Sequence, residues 1–99
     1  MNWSQSIQEK IQVQVIPYLA PKIRDVLKGL SPSHLNQLEE VRLRRGKPLC
    51  LHLQRSETYV TGTGRLTGSP GEGYLVTDED ITRTLAAISG NSVYALEEE

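Results

Sequence analysis

The stretch "EEVRLRRGKPLCLHLQ", residues 39–54, decides the fold because the spacing of apolar residues changes there from helical to alternating. In its first half, Val41 and Leu43 alternate with Arg42 and Arg44. Successive side chains of a β-strand point to opposite faces, so we expect a strand that buries the two apolar residues and exposes the two arginines.

A second strand is predicted directly after a turn. Gly46 and Pro48 are residues that tight turns favour, and they separate the first alternating run from the next. Three residues then share one face of the second run: Leu49, Leu51 and Leu53. Cys50 and His52 fall on the other face, so the two runs together predict a hairpin with one apolar side.

Two further strands are predicted downstream. One covers residues 58–61, and the other is the short run "YLVT" at residues 74–77. Between them, "GTGRLTGSPGEG" at residues 62–73 is rich in glycine and indicates a loop, which we expect to move.

A helix is predicted to begin at Thr77, whose hydroxyl can cap the first turn. Three acidic residues follow it, at the positive end of the helix dipole: Asp78, Glu79 and Asp80. The buried stripe of this helix is predicted to consist of Ile81, Leu85 and Ile88. Gly90 is expected to stop it, and Ser92 can cap a further helix within "VYALEEE".

Three helices are predicted before the hairpin. The first carries an apolar residue at every fourth position, at Trp3, Ile7, Ile11 and Val15. Pro17 is expected to end it, and Pro21 suits the first turn of the second helix. The apolar stripe of the second helix comprises Ile23, Val26, Leu27 and Leu30. Ser31 or Ser33 can cap a short third helix that reaches Leu38.

These elements predict an α+β fold in a single domain over residues 1–99. In this fold, N-terminal helices pack on a small, mostly antiparallel sheet of three to four strands, and another helix follows. The 99 residues suffice for one modest core, and no internal repeat or long linker divides them.

Charge and composition exclude several classes of protein. Eleven basic and twelve acidic residues give a formal net charge of -1, which does not favour nucleic acid or an anionic membrane as a partner. The single cysteine, Cys50, excludes an internal disulfide, and no apolar run approaches the length of a membrane span or a signal-peptide core. A reducing cytoplasm is the expected compartment.

The motifs of common catalytic and cofactor sites are missing from the sequence. A P-loop needs G-x-x-x-x-G-K-[ST], whereas the Gly-Lys pair at residues 46–47 is followed by proline. The glycines of residues 62–64 begin a dinucleotide-like pattern, but a threonine stands in place of its third glycine. Cys50 and His52 supply only two metal ligands. We therefore predict no metal site, no bound cofactor, no catalytic residue and no enzymatic activity within these residues alone.

The arginine cluster admits two interpretations. Arg42 and Arg44 can form cross-strand ion pairs with Glu57 or Glu40, which contribute little stability at a surface. Alternatively, two guanidinium groups on one strand face, about 6.6 Å apart by strand rise, can bind a phosphate or a neighbouring carboxylate in forked geometry. Aromatic residues are not interleaved with the basic ones, so the cluster does not predict nucleic-acid binding.

The sequence ends on three glutamates, at residues 97–99. Carboxylates in the last turn of a helix meet the negative end of its dipole and repel one another. We therefore expect the last helix to continue beyond Glu99 and the chain to be the front part of a larger protein.

Two motifs together resemble the N-terminal region of the stage III sporulation protein AA family. They are "LEEVRLRRGKPL", residues 38–49, and "VTDEDITRTLAAISGNSVYALEEE", residues 76–99. In that family a strand of the form E-[IV]-R-L-R, followed by Gly-x-Pro-Leu, precedes a helix and an S-x-Y-A-x-E-E segment. The resemblance covers about the second two-thirds of the chain, with both motifs in the family's order.

The resemblance implies a specific function. The family protein is a cytoplasmic ATPase of the mother cell, similar to the hexameric ATPases of secretion systems and type IV pili, and it energises a channel between mother cell and forespore. Its P-loop domain follows the S-x-Y-A-x-E-E segment, so ATP and Mg²⁺ are implied for the full-length protein only. The implied partners are its own ATPase domain, neighbouring subunits and channel proteins of the sporulation septum, through which it is peripheral to the membrane.

The resemblance also implies roles for the arginines. Secretion ATPases carry an arginine-rich strand, R-x-R followed shortly by glycine, near the bound nucleotide. Arg42, Arg44 and Gly46 match this pattern position by position, and Arg45 belongs to the same cluster. One of these arginines is implied to sense nucleotide phosphates or the adjoining subunit in the hexamer. A Lys-Pro pair stands near the glycine where the secretion ATPases have an acidic residue, so the turn is expected to differ.

Two functions remain open. The first is a regulatory and assembly domain of a hexameric ATPase, which requires coding sequence beyond Glu99 that contains a P-loop. The second is a stand-alone protein-interaction module with no link to nucleotide, in which the first helix docks on a partner and the arginines form ion pairs only.

Overall fold

The computed structural model describes residues 7–89 of the chain. This part contains the helices α1 (Ile7–Lys10), α2 (Pro21–Leu27), α3 (Pro32–Leu35) and α4 (Asp78–Ser89). It also contains the strands β1 (Leu38–Arg42), β2 (Cys50–Leu53), β3 (Ser56–Val60) and β4 (Leu66–Thr67). A π-helical turn, Ile11–Val15, and a 3-10 turn, Ile16–Tyr18, continue α1, and another 3-10 turn covers Pro70–Glu72. The predicted α+β fold is confirmed.

The strands form one antiparallel sheet in the order β1-β2-β3-β4, so each pairs with its neighbours in sequence. Arg42 of β1 pairs with Cys50 of β2, which in turn pairs with Tyr59 of β3. The register of β1 shifts between Leu38 and Glu40, where an additional residue opposes β2. The hairpin predicted from the change of period is therefore the centre of the sheet.

The core lies on one face of the sheet. Its buried apolar residues are Leu19, Ala20, Ile23, Val26, Leu27, Leu30, Leu38, Leu49, Leu51, Leu53, Val60 and Val76. The predicted stripe of α2 is buried, as are the three leucines predicted to share a face of β2. Cys50 and His52 alternate with these leucines and are half-buried on the opposite face.

The glycine-rich segment 62–73 is more ordered than the predicted loop, since it contains β4 and a 3-10 turn. Its first turn packs directly on the end of α2. Gly64 has a φ of 86°, and a Cβ placed on it would lie 2.6 Å from the Cα of Gly29 and 2.7 Å from the carbonyl oxygen of Val26. Two backbones approach here at a distance that only glycine permits.

The predicted fourth strand at residues 74–77 is wrong. This segment makes a single bridge, between Pro48 and Leu75, and the fourth strand of the sheet is β4. The third strand, predicted at residues 58–61, is β3 at Ser56–Val60. The backbone groups of Val76 bond Gly46 and Lys47 of the turn after β1, and those of Tyr74 bond Leu49 and Val60. This segment therefore adds to the sheet without forming a ladder of its own.

Two predicted helix ends also differ from the structure. Ser31 caps α3 as predicted, because its Oγ accepts a hydrogen bond from the backbone N–H of His34 at 3.2 Å. However, α3 ends at Leu35, and Leu38 is fully buried as the first residue of β1. Pro17 lies inside the 3-10 turn that follows the π-helical turn, so the helical backbone does not stop there.

The apolar stripe of the first helix is only partly buried. Ile11 and Val15 pack against the core, whereas Ile7 is 51% exposed. Trp3, the predicted stop at Gly90 and the predicted cap at Ser92 lie outside the described residues. Within the described part of the chain, no helix has the length and apolar character needed to cross a membrane.

The start of α4 is the capped helix start that was predicted. Thr77 Oγ1 accepts from the backbone N–H of Asp80 at 3.0 Å, and Asp80 Oδ2 accepts from the backbone N–H of Thr77 at 3.0 Å. The predicted apolar stripe is only half-buried at Ile81, Leu85 and Ile88. The buried side of α4 is instead polar: Asp80 accepts a hydrogen bond from the Tyr74 hydroxyl at 2.6 Å, and Thr84 accepts one from the backbone N–H of Ala20 at 3.0 Å.

Candidate functional site

The candidate site consists of two adjoining parts of the β1–β2 hairpin. The first is the outer face of the sheet, opposite the core. It carries two cross-strand rows, Glu40 with His52 and Glu57, and Arg42 with Cys50 and Tyr59. The second is the arginine turn, residues 44–47, which connects β1 to β2 and contains three exposed cations.

Backbone hydrogen bonds fix the arginine turn. The backbone N–H of Lys47 donates to the carbonyl oxygen of Arg44 at 3.0 Å and closes a four-residue turn. Gly46 occupies the third position with a φ of 70°, a conformation that favours glycine. Its own N–H donates to the carbonyl oxygen of Val76 at 2.8 Å. The predicted turn is therefore present, and it is tied to the segment that precedes α4.

Pro48 leaves the turn as the bridge partner of Leu75. Backbone hydrogen bonds flank this pair on both sides, from Leu49 N to Tyr74 O at 2.7 Å and from Val76 N to Lys47 O at 3.0 Å. Proline is tolerated at this position. In a pair flanked in this way, the N–H groups of the two paired residues do not take part in the hydrogen bonds between the two segments. Cross-strand partners point to one face, so Pro48 and Leu75 both lie on the outer face with Cys50.

Two carboxylates of the outer face hold Arg42. Its Nε lies 2.7 Å from Glu40 Oε1, and its Nη1 lies 3.0 Å from Glu57 Oε2. The hydrogen bond and charge of Glu40, with the charge of Glu57 added, raise the pKa of Arg42 above its ordinary value. The ion-pair interpretation is thus confirmed for this arginine, and an external anion would have to compete with two carboxylates for it.

Arg44 and Lys47 are differently placed. Both are exposed, and no side-chain hydrogen bond or ion pair within the described part of the chain engages either of them. Arg44 follows the end of β1, so it does not continue the strand face of Arg42 as predicted. Arg45 Nε lies 3.4 Å from Asp78 Oδ1, but these side chains are 61% and 86% exposed, so this ion pair contributes little.

The pKa of the Cys50 thiol depends on its burial and on charges in both parts of the site. Burial raises the pKa of the thiol, and the charge of Glu57 adds to the rise. The charge of Arg42 lowers it in turn, with smaller contributions from Glu40, which raises it, and from Arg44, which lowers it.

His52 lies between two carboxylates without a close hydrogen bond to either. Its Nε2 is 3.9 Å from Glu39 Oε1, and its Nδ1 is 3.7 Å from Glu57 Oε2. The Nδ1 atom is buried and has no hydrogen-bond partner. Among the described residues, no group of three or more His, Cys, Asp or Glu side chains is arranged to hold a metal ion.

Leu75 is 57% exposed beside Pro48, an exposure that was not predicted from the sequence. Gly73 packs on the same apolar surface, since a Cβ placed on it would lie 2.9 Å from Pro48 Cβ and 3.4 Å from Tyr59 Cβ. The signal for this exposure was the alternation within "YLVT", in which Leu75 precedes the buried Val76.

Comparison with known proteins identifies one family. The model of the family described as sporulation stage III, protein AA matches residues 8–99 of the chain. The match includes the whole sheet, the arginine turn and α4. No curated protein and no solved structure matches the chain.

Proposed function

Because the chain belongs to the sporulation stage III, protein AA family, its role is in sporulation, and we propose that it forms the N-terminal regulatory and assembly domain of a hexameric ATPase. In this proposal the ATPase is of the secretion type and energises a channel between mother cell and forespore, from the mother-cell side. The domain does not hydrolyse ATP by itself.

ATP and Mg²⁺ are assigned to a P-loop domain elsewhere in the full-length protein, because residues 1–99 contain no G-x-x-x-x-G-K-[ST] motif. The partners of the domain are then its own ATPase domain, neighbouring subunits and channel proteins at the membrane. Nucleic acid is not among them, since the net charge is -1 and no aromatic residue is interleaved with the arginines.

The observation that supports this role is the free guanidinium group of Arg44. Arg42 already binds Glu40 and Glu57, and Arg45 faces Asp78. Arg44 alone among these three arginines has no carboxylate partner in the described part of the chain. A planar guanidinium group presents five N–H donors that suit the oxygens of a phosphate. We therefore assign the sensing of nucleotide phosphates, or of an acidic group on the adjoining subunit, to Arg44.

The arginine turn also connects Arg44 to the start of α4. Gly46 and Lys47 are hydrogen-bonded to the backbone of Val76, one residue before the Thr77 cap of α4. A displacement of the turn would therefore move the start of α4 with it. In this proposal, an anion bound by Arg44 changes the position of α4 relative to the neighbouring domain, which is how the domain regulates assembly and turnover.

The experiment that tests this function uses the full-length protein and the chain of 99 residues side by side. The reading frame beyond residue 99 should encode a P-loop, and the full-length protein should sediment as a hexamer and hydrolyse ATP. The chain of residues 1–99 should show no turnover at any concentration. A reading frame without a P-loop, or a full-length protein that neither assembles nor hydrolyses ATP, would overturn the proposal.

A stand-alone interaction module without a link to nucleotide is the second candidate function. The observation in its favour is the pairing of Arg42 with Glu40 and Glu57. One arginine of the matched R-x-R pattern therefore forms ion pairs within the sheet. A stop codon directly after Glu99 would favour this module over the ATPase domain.

A further inference from the structure

Two cations at the ends of the arginine turn have no anionic partner in the described part of the chain. Arg44 is the first residue of this turn and Lys47 is the fourth, since the backbone N–H of Lys47 donates to the carbonyl oxygen of Arg44 at 3.0 Å. The α-carbons of two such residues lie within about 7 Å of each other. Both side chains are exposed, and neither forms a hydrogen bond or ion pair with the described residues. The two positive charges therefore repel each other, and a shared anion would offset this repulsion.

Three neighbouring carboxylates are already paired with other arginines. Arg42 lies against Glu40 and Glu57. Arg45 lies 3.4 Å from Asp78. An anion that balances the two free cations would therefore come from outside the described part of the chain.

The backbone of the turn is held in place and offers a further donor. Gly46 has a φ of 70° at the third position and Arg45 precedes it with a negative φ, as in a type II turn. The N–H of Arg45 has no acceptor among the described residues. Hydrogen bonds to Val76 fix the second half of the turn, and Pro48 restricts Lys47 to an extended conformation. Because the backbone is ordered beforehand, anion binding here costs little conformational entropy.

The number of cations favours a doubly charged ligand. A carboxylate bears one negative charge and two oxygens, which a single arginine can satisfy in forked geometry. A phosphate with only one ester bond bears roughly two negative charges at neutral pH and has three free oxygens. We propose that Arg44 and Lys47 together bind a terminal phosphate group, and that Lys47 selects this group over a carboxylate or a phosphate diester by pairing with the second charge.

The assignment of Lys47 rests on the proposed function, in which Arg44 senses nucleotide phosphates or an acidic group. It adds a second residue to that site and names the ligand as the doubly charged end of a phosphate chain. An acidic side chain of an adjoining subunit lacks the second charge and would leave Lys47 without a partner.

Nuclear magnetic resonance of the isotope-labelled chain of residues 1–99 tests the site without any ATPase activity. The backbone N–H of Gly46 is the reporter, because its hydrogen bond to Val76 holds it within the turn. Methyl phosphate, dimethyl phosphate and acetate are titrated at neutral pH and low salt, and ADP is titrated as a nucleotide with a terminal phosphate.

Two variants and one control are compared with wild type. Lys47→Gln removes the second cation, and Arg44→Gln removes the first. Lys22→Gln is the control, since Lys22 is an exposed lysine on α2. The amide resonances of the buried core must keep their positions in every variant, which shows that the fold is retained.

We expect methyl phosphate to bind wild type and Lys22→Gln about fivefold more tightly than dimethyl phosphate or acetate. This factor is the upper end of what an exposed pair of opposite charges contributes. Lys47→Gln should lose this preference, because it cannot pair with the second charge, and Arg44→Gln should weaken the binding of all three probes. ADP should bind wild type at least as tightly as methyl phosphate.

Three results would overturn the site: no saturable shift of the Gly46 resonance with methyl phosphate, a preference for methyl phosphate that Lys47→Gln retains, or an equal loss of preference in Lys22→Gln. Binding of methyl phosphate without binding of ADP would support the site but assign it to free phosphate, against the sensing of nucleotide. A reading frame without a P-loop would overturn the proposed function while leaving these titrations unchanged, so the two failures are distinguishable.

Discussion

Replacing Gly64 by alanine tests the packing of the glycine-rich segment on α2. Its φ of 86° is a conformation that other residues rarely adopt, and the strain of a left-handed conformation is about 1–2 kcal/mol. The new Cβ would also lie 2.6 Å from the Cα of Gly29 and 2.7 Å from the carbonyl oxygen of Val26, both of which are backbone atoms that yield little. Overpacking of this kind costs about 1–3 kcal/mol. The free energy of unfolding should therefore fall by about 2–5 kcal/mol, a large part of the roughly 5–15 kcal/mol typical of a domain of this size.

Urea unfolding followed by circular dichroism measures this change. With a typical slope of about 1–3 kcal/mol per molar urea, the midpoint of Gly64→Ala should drop by about 1 M or more. Gly62→Ala is the matched control, since no atom lies within 4 Å of a Cβ placed there and its φ is not positive. The control should stay within about 1 kcal/mol of wild type, with any change towards higher stability. Equal midpoints for the two variants would refute the reasoning.

Two further predictions concern the start of α4. Thr77→Ala should lower the free energy of unfolding by about 1 kcal/mol, because the backbone N–H of Asp80 loses its acceptor. Thr77→Ser should keep the cap. Equal melting temperatures for the two variants would contradict this. Burial and the hydrogen bond to Asp80 raise the pKa of Tyr74 to about 12, above its ordinary value of 10.0. The contribution of Tyr74 to stability is therefore complete below pH 10 and is lost as pH rises through about 12. Urea midpoints should fall more in wild type than in Tyr74→Phe over this interval, and parallel falls would count against the assignment.

Periodicity was sufficient to predict the faces of the principal elements. The leucines of β2 and the stripe of α2 recur at the spacing of a strand and of a helix, and both sets pack into the same core. The cap at Thr77 was predictable for a related reason, since its hydrogen bonds join residues only three apart in sequence.

Contacts between distant residues could not be predicted in this way. The strand β4 has two residues and exists through its pairing with β3, which no local pattern specifies. The approach of Gly64 to Gly29 joins two turns that are far apart in sequence. Asp80 and Thr84 are buried because they bond Tyr74 and Ala20, whereas their polarity alone would place them on the surface.

The site was predicted in part. The pairing of Arg42 with Glu40 and Glu57 was one of two open interpretations, because cross-strand and next-but-one residues share a strand face. Which arginine would be left free depended on where β1 ends. β1 ends at Arg42, and the turn that follows it is hydrogen-bonded to Val76, some thirty residues away in sequence, which no pattern around Arg44 indicates.

The measurement that tests the central proposal most directly is ATP turnover by the assembled full-length protein with single arginine substitutions. Arg44→Ala should lower kcat on the order of 10³-fold, the lower end of what an arginine at a phosphoryl-transfer site contributes. Arg42→Ala should leave kcat near the wild-type value, because this side chain forms ion pairs with Glu40 and Glu57 within the sheet. Sedimentation must show that both variants still form the hexamer. An unchanged kcat in hexameric Arg44→Ala would contradict the assignment of nucleotide sensing to this turn.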